Sequence, residues 1–305
     1  MAASPGEAGV AVFNEQPLAP LTTWKIGGPA RRLAAPRDVE EACRLLAYAH
    51  RRGQPVFFLG AGSNVLIDDK GLPGLTLHLA GSLKKLERQG DVLRAGAGLP
   101  LPRLAGAAAR WGLKGFEFLA GIPGTVGGAV RLNAGAHGRH LGQLLKRMWV
   151  LTPRLQLLEF SAAELEFGYR TSRLLDFPHW LVVEAEFALE EEAPPEQIRA
   201  RMRELMAARR ARQPRNPRSC GSVFKNPPGG PPAGHLIEQA GFKGRRCGDA
   251  QVSRKHANFI LNVGRASAAE VKTLIREIQE EVWRRFGITL EREVVFLPED
   301  LGYPA

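Results

Sequence analysis

The chain has 305 residues, and 42 Lys and Arg against 31 Asp and Glu give a formal charge of +11. That length suggests two domains or three small ones, and 44% hydrophobic with 24% charged residues is a composition that buries a core and excludes disorder. No run approaches the ~18 apolar residues of a membrane span, Gly and Pro follow no strict period, and the positive balance points equally to nucleic acid and to phosphorylated small molecules as partners.

Residues 1–20 read as an irregular segment, and Met1-Ala2-Ala3-Ser4-Pro5-Gly6-Glu7 has no basic region followed by an apolar stretch, so no secretory signal is expected. A helix follows Asp38: Asp38 as N-cap with Glu41 makes a capping-box pattern, and Val39, Ala42, Leu45, Leu46 and Ala49 recur at helical spacing up to Gly53. Pro55-Val56-Phe57-Phe58-Leu59 reads as a buried strand. It runs into Gly60-Ala61-Gly62-Ser63-Asn64 and a second apolar run ending at Asp68-Asp69. Residues 75–99 suggest short strands with glycine turns, and Pro102 to Arg110 an alanine-rich helix ended by Gly112. The most glycine-dense stretch is Ala120-Gly121-Ile122-Pro123-Gly124-Thr125-Val126-Gly127-Gly128-Ala129, closed by Asn133-Ala134-Gly135-Ala136-His137-Gly138. Strand-like stretches at 147–160 and 180–189 complete this part.

Glu190-Glu191-Glu192-Ala193-Pro194-Pro195 is a charged, proline-bearing break and marks a domain boundary or hinge. Beyond it, Ile198, Met202, Leu205 and Met206 mark one face of a helix studded with arginines. A last long helix starts at Ser267, with Glu270 as a second capping box, carries Val271, Leu274, Ile275, Ile278 and Val282 on one face, and stops at Gly287. A strand from Ile288 to Leu297 ends the fold. There is no internal repeat, and the alternation of short strands and helices indicates an α+β or α/β chain.

Several motifs carry chemistry, each with a plainer reading beside it. Gly60-Ala61-Gly62-Ser63-Asn64-Val65 starts like a dinucleotide fingerprint but lacks the third glycine and a following helix. A turn and a backbone anion cradle fit it equally. Gly121 to Gly128 holds four glycines in eight residues, a density costly in folding entropy, so close backbone approach is needed there. Taken with the Gly60 loop and Asn133 to Gly138, this favours a phosphate-containing cofactor over a tight connection.

Tyr169-Arg170 alone is an ordinary surface pair, Ser222 in Cys220-Gly221-Ser222-Val223-Phe224-Lys225-Asn226-Pro227 an ordinary turn residue, and Glu293 an exposed carboxylate on the strand face opposite Ile288, Leu290, Val294 and Phe296. No hydrolase elbow and no metal-ligand spacing occurs. Cys43, Cys220 and Cys247 are an odd set without paired spacing, which argues against a disulfide framework and for a reducing cytoplasm. Eight arginines lie between Arg199 and Arg218. A nucleic-acid patch is one reading, but aromatic interleaving is absent and a solvated helix face is favoured.

Together, and in order, these motifs resemble the UDP-N-acetylenolpyruvoylglucosamine reductase family. The series is Leu59 to Leu66, Gly121 to Ala129, Asn133 to Ala136, Phe167-Gly168-Tyr169-Arg170-Thr171-Ser172, Gly221 to Pro227 and Leu290-Glu291-Arg292-Glu293-Val294, preceded by Thr22-Thr23-Trp24-Lys25-Ile26-Gly27-Gly28. The resemblance runs from about Thr22 to Leu297. Two departures stand out: His137 where the family often has tyrosine, and Arg292-Glu293-Val294 where it often has Pro-Glu-Val. Between Arg170 and Ser222 there is no long insertion with a substrate-covering tyrosine, so the chain is similar to the shorter subclass.

The resemblance implies an α+β fold: a two-lobed FAD-binding region of the vanillyl-alcohol-oxidase type at 21–190, with lobes at 21–80 and 81–190, and a substrate-binding α/β domain at 191–305. It implies FAD as bound cofactor and NADPH as co-substrate, with hydride addition to the enolpyruvyl ether of UDP-N-acetylglucosamine giving UDP-N-acetylmuramate for peptidoglycan. Catalysis would fall to Arg170, Ser222 and Glu293. Arg170 would bind the substrate carboxylate, Glu293 would donate to it when protonated, and Ser222 would give the proton to the adjacent carbon. FAD would be held by Gly60, Ala61, Gly62, Ser63, Asn64, Val65, Gly121, Ile122, Pro123, Gly124, Thr125, Gly127, Gly128, Asn133 and Gly135. The UDP-sugar would meet Tyr169, Lys225, Asn226, Lys243 and His256. A cytoplasmic monomer with no nucleic-acid partner, no membrane insertion and no metal is expected. The alternatives are another FAD-dependent oxidoreductase on the same scaffold, or a nucleic-acid binder using the Arg199–Arg218 face.

Overall fold

Asp38 starts the first helix as the sequence requires: its carboxylate accepts the Glu41 N–H at 2.8 Å, and α1 runs Val39–Arg51. The box is completed differently from the expected pattern, because the Glu41 carboxylate takes the Arg37 N–H at 2.7 Å and its guanidinium. A computed structural model describes residues 4–5, 9–79, 83–189, 191–214 and 218–304 of the chain. These form two compact units, the first of 1–14, 32–61 and 74–209, the second of 15–31, 62–73 and 210–305.

The first unit has two five-stranded sheets. One has the strand order Ser4–Pro5, Ala11–Pro17, Pro29–Ala34, Leu72–His78, Val56–Leu59, and three of its strands carry the chain across the division between units. Its last two strands are parallel, Val56 opposite Leu75, and Ala42, Leu45, Leu46 and Ala49 of α1 share a core with Leu75 and Leu77. The other sheet is antiparallel, in the order Leu157–Ser161, Leu145–Leu151, Leu181–Ala188, Val92–Gly96, Leu86–Gln89. Its core holds α2 (Leu101–Arg110) and α3 (Val126–Arg131). The sequence showed α2 but hid α3, since Val126-Gly127-Gly128 reads as a turn. The expected boundary between the lobes, at residues 80 and 81, lies outside the described residues.

Helix α4 (Pro195–Arg212) moves the division between units away from the charged break at 190–195. Met202, Leu205 and Met206 pack against the core of the second sheet, so apolar burial ties the helix to the first unit up to Arg209.

The second unit is built on α5 (Ala233–Gln239), α6 (Ala268–Phe286) and a three-stranded antiparallel sheet of Arg246–Cys247, Ala250–Val252 and Ile260–Asn262. Helix α6 shows both expected stops: Ser267 and Glu270 form the reciprocal box, and Gly287 ends the helix at φ +67°. Asp69 adds a carboxylate at its start, accepting the N–H groups of Ala268 at 2.7 Å and Ala269 at 3.1 Å. Val271, Leu274, Ile275, Ile278 and Val282 are buried, with Trp24, whose indole donates to the Ile260 carbonyl at 2.7 Å.

The expected strand Ile288–Leu297 is a correction. Only Val295–Leu297 forms a ladder, parallel to Val65–Ile67, while Arg292 bridges Phe224. Leu290 and Val294 are buried as the alternation implied, but their segment spends its hydrogen bonds on a loop. No helix among the described residues is long and apolar enough to cross a membrane.

Candidate functional site

In the first unit the glycine loops meet. Gly60 leaves its strand directly against Thr125, where a Cβ would stand 2.5 Å from the Thr125 Oγ1. Thr125 starts α3 without capping it through its side chain. The next two N–H groups are used internally, Val126 on the Leu99 carbonyl and Gly127 on the Ala97 carbonyl, both at 2.9 Å. Those of Gly60, Ala61 and Gly128 meet no acceptor among the described residues. Ile122 closes the Glu117–Gly121 turn by donating to Leu119, and the Gly124 carbonyl accepts from Leu101, which fixes the loop on either side of Pro123.

Asn133 is the clamp of the next motif. It sits at φ +44°, buried, with its amide donating to the Gly168 carbonyl at 2.8 Å and its oxygen accepting from Gly142 N–H at 2.9 Å. The His140 Nδ1 lies 3.1 Å from the same oxygen. Gly168 and Thr171 pair across a tight turn that holds Tyr169 and Arg170, with Arg170 at φ +55°. The Arg170 Nη2 donates to the Gly135 carbonyl at 3.3 Å, and Tyr169 beside it is 58% exposed while Arg170 is half-buried. Asn133, Gly135, Tyr169 and Arg170 are thus one cluster. Sequence reading missed Arg131, which donates to the carbonyls of Leu174, Phe177 and Trp180 and so holds the segment that follows this turn. Burial brings its pKa down to about 10, still charged at neutral pH. A buried position at the end of a six-residue helix leaves no sequence signal for that role.

In the second unit the Ser222 loop lies along the Glu293 segment. The Glu293 N–H donates to the Val223 carbonyl at 2.8 Å, and Lys225 N–H to the Glu291 carbonyl at 2.9 Å. Asn258 holds the loop from the other side, accepting from Phe224 N–H at 2.9 Å and donating to its carbonyl at 2.8 Å. Asn64 reaches the Glu293 carbonyl at 2.9 Å and accepts from Val295 N–H, while Val65 begins the strand beside it. The N–H groups of Gly62 and Asn64 meet no acceptor among the described residues, and Ser63 lies between them. Cys220 is buried, and burial, with the Glu293 charge second, pushes its thiol well above the usual range. The Glu293 charge thus reaches Cys220, and its N–H is bonded to the residue after Ser222.

The remaining predicted contacts gather around α5. Asn226 accepts the Ala233 N–H at 3.0 Å, Lys243 pairs with Glu238 at 2.6 Å, and Lys225 pairs with Glu291. The His256 ring packs on the first turn, since a Cβ on Gly234 would stand 3.0 Å from its Cε1. Burial lowers the His256 pKa, and the Lys243 charge lowers it further.

Residues 213–297 match the family described as UDP-N-acetylenolpyruvoylglucosamine reductase, C-terminal domain, and residues 30–160 match the FAD binding domain. A UDP-N-acetylenolpyruvoylglucosamine reductase from Synechococcus sp. (strain JA-3-3Ab) is 46% identical over 92% of this chain and 89% of its own. One from Carboxydothermus hydrogenoformans is 44% identical over 94% of each. The crystal structure of UDP-N-acetylenolpyruvylglucosamine reductase from Thermus caldophilus superposes with a TM-score of 0.80 at 39% identity, covering 95% of this chain and 99% of that one.

Proposed function

This chain belongs to the UDP-N-acetylenolpyruvoylglucosamine reductase family, and we propose that Arg170, Ser222 and Glu293 are the side chains that assist the flavin-dependent reduction of the enolpyruvyl group of that sugar nucleotide. The chain is an FAD-dependent oxidoreductase, and the product is UDP-N-acetylmuramate for peptidoglycan. Its residues fit FAD by one test: Gly60 carries no side chain where a Cβ would strike Thr125, and the free N–H groups of Gly60, Ala61 and Gly128 are the donors a pyrophosphate needs. Gly60 to Val65, and Gly121 to Gly128 apart from Val126, would hold the cofactor, with Asn133 and Gly135 supporting them.

Reduced by NADPH, FAD supplies the hydride. The rest falls to this chain. As hydride reaches the methylene carbon, negative charge moves into the substrate carboxylate, which Arg170 binds through its permanently charged fork. Glu293, when protonated, donates a hydrogen bond to the same group. Ser222 delivers the proton to the adjacent carbon, aided by Lys225, the cation of its own loop. Tyr169, Asn226, Lys243 and His256 bind the UDP-sugar.

The observation that carries this reading is the register of the Ser222 loop on Glu293, fixed by the 2.8 Å bond from the Glu293 N–H to the Val223 carbonyl. Nucleic-acid binding is the less supported reading: one side of α4 is committed to apolar packing, and Arg199, Arg201 and Arg203 are engaged by Glu196 and Glu204. The test is anaerobic titration of the purified protein with NADPH, then addition of the enolpyruvyl sugar. A yellow protein that bleaches and then recovers its flavin bands is expected. A colourless protein, or a flavin that stays bleached, overturns the reading.

A further inference from the structure

Ser222 makes no hydrogen bond of its own among the described residues, by main chain or side chain. Cys220, two residues before it, is anchored by burial, but Gly221 lies between them at φ +87° with open space where a Cβ would stand. That anchor reaches Ser222 only through the most permissive residue in the chain's alphabet. The place of the hydroxyl is therefore set from the other side, by Val223 and Phe224, each 1% exposed.

Asn258 fixes both of them. Its carbonyl accepts the Val223 N–H at 2.9 Å, and its side-chain amide takes both main-chain groups of Phe224, accepting from the N–H at 2.9 Å and donating to the carbonyl at 2.8 Å. Across the loop, the Glu293 N–H donates to the Val223 carbonyl at 2.8 Å. Asn258 is itself rigidly held: it is buried, and it lies in a turn closed by the Phe259 N–H on the His256 carbonyl at 3.1 Å, just before the strand Ile260–Asn262. Its own N–H donates to the His256 Nδ1 at 3.3 Å, which leaves the proton of the neutral ring on Nε2. The main chain of Asn258 thus serves His256 and Val223, and its side chain serves Phe224 alone. Pairing two buried main-chain groups would stabilise a loop anywhere in the fold. What distinguishes Asn258 is that its bonds fall on the two residues after a serine that has none.

We propose that Asn258 is a positioning residue for the proton transfer, holding the Ser222 loop so that the hydroxyl meets the carbon that takes the proton; the assignment rests on the reductase reading above. In that step the Ser222 O–H bond breaks, the new C–H bond forms from the electron pair left on the substrate by hydride addition, and a proton from water restores the hydroxyl. A donor displaced by about 1 Å loses about a hundredfold in rate. Binding of the sugar nucleotide, which uses other groups, is indifferent to that displacement.

Asn258→Ala removes both amide bonds and keeps the main-chain bonds to Val223 and His256. In the flavin-loaded enzyme, the rate of flavin reoxidation at saturating enolpyruvyl sugar should fall about tenfold or more. The half-saturating sugar concentration and the reduction by NADPH should stay at wild-type values. In a Ser222→Ala background the same change should slow reoxidation no further, because Asn258 acts through the hydroxyl already removed. Wild-type reoxidation in Asn258→Ala overturns the proposal. So does the full additional slowing in the double variant, and so does a loss shared equally by both half-reactions, which would make Asn258 a residue of the fold only. If Asn258→Ala fails to fold, Asn258→Asp, which keeps the shape and the acceptor for the Phe224 N–H, is judged by the same outcomes. Ser222→Ala is measured first: wild-type reoxidation there removes the proton-donor reading, and the proposal with it, whereas a slow Ser222→Ala beside a fast Asn258→Ala removes the proposal alone.

Discussion

The two units present their candidate residues in opposite ways. In the first, the glycine loops offer backbone: Gly60 is defined by the side chain it lacks, and Val126, Gly127 and Gly128 by where their N–H groups go. In the second, Ser222, Glu293, Lys243 and His256 offer functional groups on a frame held by Asn64, Asn226 and Asn258. The difference teaches that one set is fixed by space and the other by chemistry. Adding a methyl group should damage the first set, and exchanging a functional group should damage the second.

The largest effect belongs to the second unit. Ser222→Ala should slow flavin reoxidation by the enolpyruvyl sugar about 10²–10⁴-fold, the usual weight of a positioned proton donor, while NADPH reduces the flavin as before. Rapid mixing of each half-reaction separates the two, and wild-type reoxidation would remove Ser222 from the proton step. Glu293 gives the graded version. Glu293→Gln still donates a hydrogen bond, so it should be about tenfold more active than Glu293→Ala. Equal loss in both would leave Glu293 with a role other than donor.

For the first unit the sharper test adds nothing but volume. Gly60→Ala should weaken flavin retention about tenfold, because its Cβ meets the Thr125 Oγ1 at 2.5 Å while the Thr125 Cβ stands back at 3.6 Å. Removing the hydroxyl as well, in Gly60→Ala with Thr125→Ala, should restore part of that retention. Flavin content after dialysis measures both. A double variant no better than the single one would mean that the loop is fixed by something other than space.

The same contrast explains what could be read from the sequence. Helices α1 and α6 were legible because their limits are written in side chains: Asp38 at the start of one, Ser267, Glu270 and Gly287 around the other. Helix α5 was not, since it has seven residues and Pro232 as its N-cap, with no capping side chain. The Ser222 and Glu293 segments were visible only as members of an ordered motif series. That they lie side by side depends on a loop-to-segment hydrogen bond between residues 70 apart, which no local pattern encodes. Arg209 was counted among the arginines of a solvated face, although its stem lies against Gly121 beside Met206. The division between units escaped for a related reason: the acidic break at 190–195 is a composition change, but the apolar stripe of α4 decides where the contacts stop.

The smallest effect tests the frames rather than the sites. The first unit buries a carboxylate, Glu186, at 2% side-chain exposure, with Arg147 Nε at 2.9 Å and Arg94 Nε at 3.1 Å. Burial works to raise its pKa, but the hydrogen bonds and charges of Arg147 and Arg94 outweigh it and hold the carboxyl below the usual range. The folded pKa thus lies under the unfolded value, so the unfolded chain binds the proton more readily and stability rises with pH across that window. The contribution is complete above the ordinary carboxylate pKa of about 4.5 and is lost as pH falls through the lower folded value. Glu186→Gln keeps the shape and removes the charge, and should cost about 1–3 kcal/mol at neutral pH. Thermal melts of both proteins from neutral to acid should converge as Glu186 is protonated. In the second unit Asp68, drawn down in the same direction by the Lys70 N–H and Lys272 against its own burial, should behave alike in Asp68→Asn. A gap that stays constant into acid would show that shape at Glu186, and not its charge, holds the second sheet's arginines.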